Sequence, residues 1–368
     1  MKTVRRLFYA DILSSVGFIG LAFLALFFFI DFVDELGSVS QSGYTALHAA
    51  LYCLLLVPGH AYEVSPIAVL IGSIYALSRL AQSSEYTILR TGGLGPGRAL
   101  LLLANLGLVF AVLTYLTGDY LAPAAERQAS QLKATYKGSV KLGATGAWLK
   151  DHATTPEGER SYSINVGSAG PANVLHDIRI FEFDADGRLL RRLAAADALV
   201  TKGGSWTLQN VTTTRWLSAG DNSQAPEAKL DALDWPTSLS AAVVAAAVLP
   251  VANMSTLELA RYIGHLADNE QAAQSYQIQF WKRALYPFAC LVMVALALPF
   301  AYLQSRAGSV SLKVFGGIML GISFVLLNNV AGHLGLLRDW TPWIVAATPS
   351  ALYLLLSMAA FSWLVRYR

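Results

Sequence analysis

Six stretches of this chain are apolar over a length that crosses a bilayer, and no other feature restricts its fold as strongly. They cover residues 12–32, 47–77, 99–121, 280–303, 314–332 and 343–365, and a helix needs roughly 20 such residues to span the hydrocarbon. The second is over-long and holds Pro58 and Pro66, which predicts a kinked helix or an interfacial helix leading into a span. With 55% hydrophobic and only 14% charged residues, the chain is too apolar for a soluble protein of 368 residues. The first apolar run lacks a small-residue cleavage site, so it reads as an uncleaved span.

Orientation follows from the short connections. Lys2, Arg5 and Arg6 precede the first span, and Arg79, Arg90 and Arg98 lie between the second and third. Arg306 and Lys313 separate the fourth and fifth, while Arg366 and Arg368 end the chain. The segment 34–43 has no basic residue, and the turn before the last span has only Arg338. The positive-inside rule then puts both termini in the cytoplasm and the long polar stretch, about 123–250, in the periplasm.

That stretch has a soluble domain's composition. Residues 161–166, 174–183, 205–208 and 212–217 alternate β-branched and aromatic residues with polar ones and predict strands. Asp184-Ala185-Asp186-Gly187 predicts a hairpin turn; a calcium loop would need an acid at the position of Ala195. Residues 239–249 are too short to span and predict a buried strand. Ser255-Thr256-Leu257-Glu258 is a capping box that starts a helix, with a break near 268–274 before the next span. The fold class expected is therefore a polytopic α-helical membrane protein, three spans plus three, with an inserted periplasmic all-β domain. Its divisions fall at 1–123, 124–253 and 254–368.

Few features carry chemistry. No phosphate-cradling G-x-x-x-x-G-K-[ST] loop is present, so the chain is not expected to hydrolyse nucleotide alone. Gly92, Gly93, Gly95 and Gly97 follow no strand and read as a turn. His60, His152, His176 and His265 fall on unrelated elements, Cys53 and Cys290 sit alone in apolar runs, and no catalytic or metal-ligating set is expected. A net charge of +3 without a basic stripe argues against a nucleic-acid partner.

Charged residues at span ends are costly and stand out. Asp31, Asp34 and Glu35 cluster where the first span ends, either as a solvated turn or as a contact with a ligand or neighbouring subunit. Lys282 and Arg283 oppose the positive-inside trend beside Trp281; snorkelling to lipid phosphates and binding a specific anion both account for them. The segment from Gln82 to Arg90 offers a helical face with Tyr86, Leu89 and Arg90, and Glu85 beside it, either lying on the membrane surface or docking a separate ATPase.

Seven stretches in register resemble the LptF/LptG permease family of the lipopolysaccharide exporter, most closely its LptG branch. They are Phe32-Val33-Asp34-Glu35-Leu36, Gly43-Tyr44-Thr45-Ala46-Leu47, Val57-Pro58, Leu80-Ala81-Gln82-Ser83-Ser84-Glu85, Ala122-Pro123, Gly146-Ala147-Trp148-Leu149-Lys150-Asp151 and Tyr276-Gln277-Ile278-Gln279-Phe280-Trp281. The resemblance implies a β-jellyroll periplasmic domain and a permease that takes lipopolysaccharide from the outer leaflet of the bacterial inner membrane. It implies an LptF-like partner, an LptB-like ATPase dimer that binds the ATP and magnesium, and an LptC-like single-span protein beside the first and fifth spans. It places Ser84, Glu85, Tyr86, Leu89 and Arg90 on a coupling helix at about 82–92. Candidate contacts to the lipid are Asp31, Asp34, Lys133, Lys282 and Arg283. Familiar LptG proteins have lysines at the positions of Asp31 and Gly59, where this chain departs. Rival readings are a membrane enzyme modifying envelope lipids, with Asp31, Asp34 and Glu35 as acid or base, an LptF-type sister subunit, and a non-transporting scaffold.

The predicted sidedness is checked by cysteine labelling in intact cells. Ser83→Cys and Ser309→Cys are expected to react only after the inner membrane is permeabilised, and Ser168→Cys and Asn222→Cys without it. Equal reactivity at all four positions contradicts the topology.

Overall fold

A computed structural model describes residues 2–37, 39, 43–83, 85–92, 95–137, 140–141, 146–155, 158–169, 174–200, 205–216, 227–237, 239, 254–268, 273–302 and 310–366. The chain forms two compact units. One comprises Met1–Gly37, Cys53–Glu126 and Gln274–Arg368, the other Ser38–Tyr52 and Arg127–Ala273.

The first unit is helical. Helix α1 (Lys2–Leu36) and helix α2 (Ala46–Gln82) are followed by the short α3 (Glu85–Thr91) and by α4 (Pro96–Leu116). A π-turn, Thr117–Leu121, joins α4 to α5 (Ala122–Lys137). After the β domain and α6 (Thr256–Asp268) come α7 (Gln274–Tyr302), α8 (Val310–Leu337) and α9 (Pro342–Arg366). Among the described residues six helical stretches are long and apolar enough to cross a membrane, α4 and α5 counting as one through the π-turn. Helix α2 runs unbroken through Pro58 and Pro66 for 37 residues, in place of an interfacial helix followed by a separate span.

The buried core of this unit draws Phe8 and Ile12 from α1, Leu70, Ile74 and Leu77 from α2, Leu103 from α4, and Cys290, Met293, Leu296 and Leu298 from α7. Helix α7 packs against both α4 and α9. At the α1–α2 crossing the Val16 backbone lies 2.6 Å from where a Cβ on Gly72 would sit, so only glycine permits this approach. Conversely, Phe18, Leu21, Leu26 and Phe29 of α1 are exposed, an apolar surface suited to lipid or to another helix.

The second unit holds one antiparallel sheet. Strands β1 (Val140–Lys141) and β2 (Ala147–Thr155) both pair with β3 (Gly158–Ala169). The order then follows the sequence through β4 (Val174–Phe183), β5 (Leu189–Val200), β6 (Ser205–Arg215) and β7 (Glu227–Pro236), a meander. Its interior is filled by Leu149, Ile164, Ile178, Ile180, Leu193, Leu208 and Val211 around Trp206 and Trp235.

A crease crosses the sheet. Pairing lapses at one level on five strands: at Gly167, at Asp177, between Ala195 and Asp197, at Asn210, and between Leu230 and Ala232. Asp177 and Asn210 there take positive φ, 53° and 54°. The inward-facing set shifts parity across the crease: Leu175 then Ile178 on β4, Leu208 then Val211 on β6. The residues expected as two strands, 205–208 and 212–217, are therefore a single strand to Arg215, because a shift of parity imitates the end of a strand.

Two local readings from sequence match the geometry. In the β4–β5 turn Asp184 Oδ1 accepts from the amides of Asp186 and Arg188, at 3.0 and 2.7 Å, and Gly187 has φ 78°. At the start of α6 the Ser255 amide donates to Glu258 Oε2 (2.8 Å) while the Glu258 amide donates to Ser255 Oγ (3.2 Å). Burial pushes the Glu258 carboxyl up, but the Ser255 amide and hydroxyl and the Arg127 guanidinium, 2.5 Å away, outweigh it and hold the group below its usual range. Apart from Leu239 itself, the expected strand at 239–249 lies outside the described residues.

Candidate functional site

The carboxylates near the end of α1 do not form one solvated patch. Asp31 Oδ2 lies 2.7 Å from His60 Nε2 on α2, each side chain being 22% exposed. The imidazole stacks on Phe27 with centroids 4.9 Å apart, and its Nδ1 is 4.0 Å from Glu63. Asp34 is exposed and Glu35 is buried. A carboxylate also stands against position 59: Glu126 Oε1 lies 2.7 Å from where a Cβ on Gly59 would be. Where the resemblance implies two lysines, this chain thus has Asp31 and Glu63 facing His60 and Glu126 against Gly59.

The three basic candidates each have a partner within the chain. The Lys133 ammonium sits 4.4 Å above the Tyr52 ring, a cation–π contact. Lys282 Nζ donates to the Asn328 carbonyl on α8 at 2.9 Å. Arg283 is 8% exposed and its Nη2 donates to the Gly118 carbonyl at 2.5 Å, so it is an internal residue and not a side chain extended to lipid headgroups.

On α3 the expected face divides. Tyr86 is 3% exposed, packed in the core and edge-on to Tyr302 at 5.4 Å. It therefore anchors the helix and does not belong to an exposed docking face, a correction to the grouping of Tyr86, Leu89 and Arg90. Glu85 and Ile88, three residues apart, are exposed and share the outer side. Ser84 and the side chains of Leu89 and Arg90 lie outside the described residues. Nearby, Arg79 ties α2 to α1 through Asp11 at 2.7 Å.

Sequence reasoning passed over His60, Tyr62 and Gly118. His60 was set aside as one of several scattered histidines; its partner lies 29 residues away, a separation with no helical or strand periodicity. Gly118 had only a partial signal: Pro123 removes a main-chain donor, but an ordinary helical reach of four residues would point to the Asp119 carbonyl, and only the five-residue reach of the π-turn points to Gly118.

Among the described residues, six helical stretches long and apolar enough to span and an antiparallel sheet inserted between the third and the fourth define a polytopic membrane protein with an inserted β domain. The chain belongs to the family described as lipopolysaccharide export system permease LptF/LptG, which matches residues 6–365. It is 28% identical over 332 residues to the lipopolysaccharide export system permease protein LptG of Escherichia coli, covering 89% of each chain. It is 25% identical to the protein of the same description from Haemophilus influenzae, covering 97% of each.

The Asp31–His60 pair sets an expectation that reverses one drawn from charge alone, by which lysine at position 31 would suit a lipid phosphate. Asp31→Lys removes the carboxylate that the imidazole bonds to and is expected to lower the thermal midpoint of the purified chain, whereas Asp31→Lys with His60→Asp restores a bonded pair and the midpoint with it. A double-mutant cycle with Asp31→Asn and His60→Gln is expected to give a coupling of about 1.5 kcal/mol, the range for a hydrogen bond to a charged group. Additive single effects would show the pair to be idle.

Proposed function

We propose that this chain is the LptG-type permease subunit of an ABC transporter that draws lipopolysaccharide from the outer leaflet of the inner membrane. The observation that carries this reading is the family match over residues 6–365, on a chain with three candidate spans before its β domain and three after it among the described residues. In it the termini and α3 are cytoplasmic and the β domain periplasmic. The partners are an LptF-like permease, an LptB-like ATPase dimer that holds ATP and magnesium, and an LptC-like single-span protein.

The physical need for those partners follows from the lipid. Acyl chains leaving the bilayer for an apolar cavity gain little, because lipid tails are as apolar as leucine. The phosphorylated sugars stay in water at the rim. Moving the lipid upward therefore requires outside work, which ATP-driven closure of two homologous bundles supplies through α3. Glu85 and Ile88 suit that role: a carboxylate for a basic groove and an apolar neighbour to seat it.

The test replaces Glu85 in the full complex. A charge-assisted hydrogen bond at that contact contributes about 1.5–3 kcal/mol, on the order of ten- to a hundredfold. Glu85→Lys is expected to leave membrane insertion intact while it reduces ATPase subunit retained, or lipid released per ATP, by that factor. Normal retention, turnover and release together would remove α3 from the mechanism, and lipid chemistry by the chain alone would favour the enzyme reading.

A further inference from the structure

The buried Arg283 meets a defect in the third span, and the two explain each other. The register lengthens within the π-turn Thr117–Leu121: the Thr117 amide still reaches the Leu113 and Thr114 carbonyls, whereas the Ala122 amide reaches back five residues to the Thr117 carbonyl. The next donor in that pattern, for the Gly118 carbonyl, is the amide of residue 123. That residue is proline and has none. Within a bilayer water does not satisfy the orphaned carbonyl, so another donor has to. Arg283 Nη2, on α7, occupies that place at 2.5 Å, and the bond is buried.

The surroundings fix the arginine there. A Cβ on Gly118 would collide with the Tyr62 ring, so the π-turn and α2 touch at this point only because residue 118 is glycine. The Arg283 guanidinium carbon is 5.4 Å from the centroid of the same ring, and Tyr62 also packs against Tyr286 at 4.8 Å. The Tyr286 hydroxyl in turn donates to the Glu63 carbonyl at 2.5 Å. One node therefore joins α2, α4 and α7, which belong to the first three spans and the last three.

We propose that Arg283 is a positioning residue for transport: it stands in for the amide that Pro123 lacks, and so holds the π-turn of the third span against α7 as the bundle moves. The proposal rests on the transport reading above. An ionisable residue in a span is a functional candidate when its partner is named, and here the partner is a main-chain carbonyl created by the sequence Gly118 to Pro123. Arg283 does not contact the lipid headgroup in this account.

The experiment restores the missing amide. In the assembled, reconstituted transporter Arg283→Met is expected to keep ATP turnover within about twofold and to lower lipid released per ATP by about tenfold, the scale for one unsatisfied buried group. Pro123→Ala returns the main-chain donor, so Pro123→Ala alone and the double variant are both expected to release lipid per ATP as the parent does. If Arg283→Met fails to accumulate, the double variant is expected to accumulate and couple normally. An unchanged ratio in Arg283→Met, or a double variant no better than it, overturns the proposal. Thermal midpoints of the isolated chain in detergent read the same rescue without transport. A parent complex that releases no lipid would thus sink the transport reading while leaving the Arg283–Pro123 coupling measurable.

Discussion

The main-chain amides and carbonyls of a spanning helix must find partners without water, and most of this architecture follows from that constraint. It makes the spans continuous helices, including α2 through its two prolines. It also explains why the π-turn of the third span coincides with a glycine, a proline and a buried arginine from another helix. Apolar burial then orders the helices around α7, whose inner half is built from Ala289 to Leu298 with few exposed side chains.

How much of this was legible in the sequence depends on the length scale of the signal. The six spans were legible because each apolar run exceeds anything a soluble core needs. The Ser255–Glu258 cap and the Asp184–Gly187 turn were legible because their chemistry is complete within four or five residues. The β domain was half legible. Residues 174–183 stand where expected, but β2, β5 and β7 were not recognised: β5 is rich in alanine and arginine, and β7 is mostly exposed, so neither shows strong alternation. The crease hid the unity of β6 for the related reason that a shift of parity ends a period-two pattern.

Site residues were legible as types and not as pairs. Charges at span ends marked Asp31, Lys282 and Arg283, but their partners, His60, the Asn328 carbonyl and the Gly118 carbonyl, come from other helices. The direction of Tyr86 was misjudged because a seven-residue helix has too few positions to show which side is apolar. Packing against Tyr302, more than two hundred residues later in the chain, decides it.

Under the proposed function, lipid leaves this permease only through work delivered from outside the chain. Proteoliposomes holding lipopolysaccharide and the complete complex, incubated with a periplasmic lipid acceptor, measure it most directly. Acceptor-bound lipopolysaccharide is expected to appear with ATP and magnesium and to stay at background without nucleotide, with a non-hydrolysable analogue, or with the chain alone. Transfer of equal size without ATP hydrolysis, or by the chain alone, would contradict it.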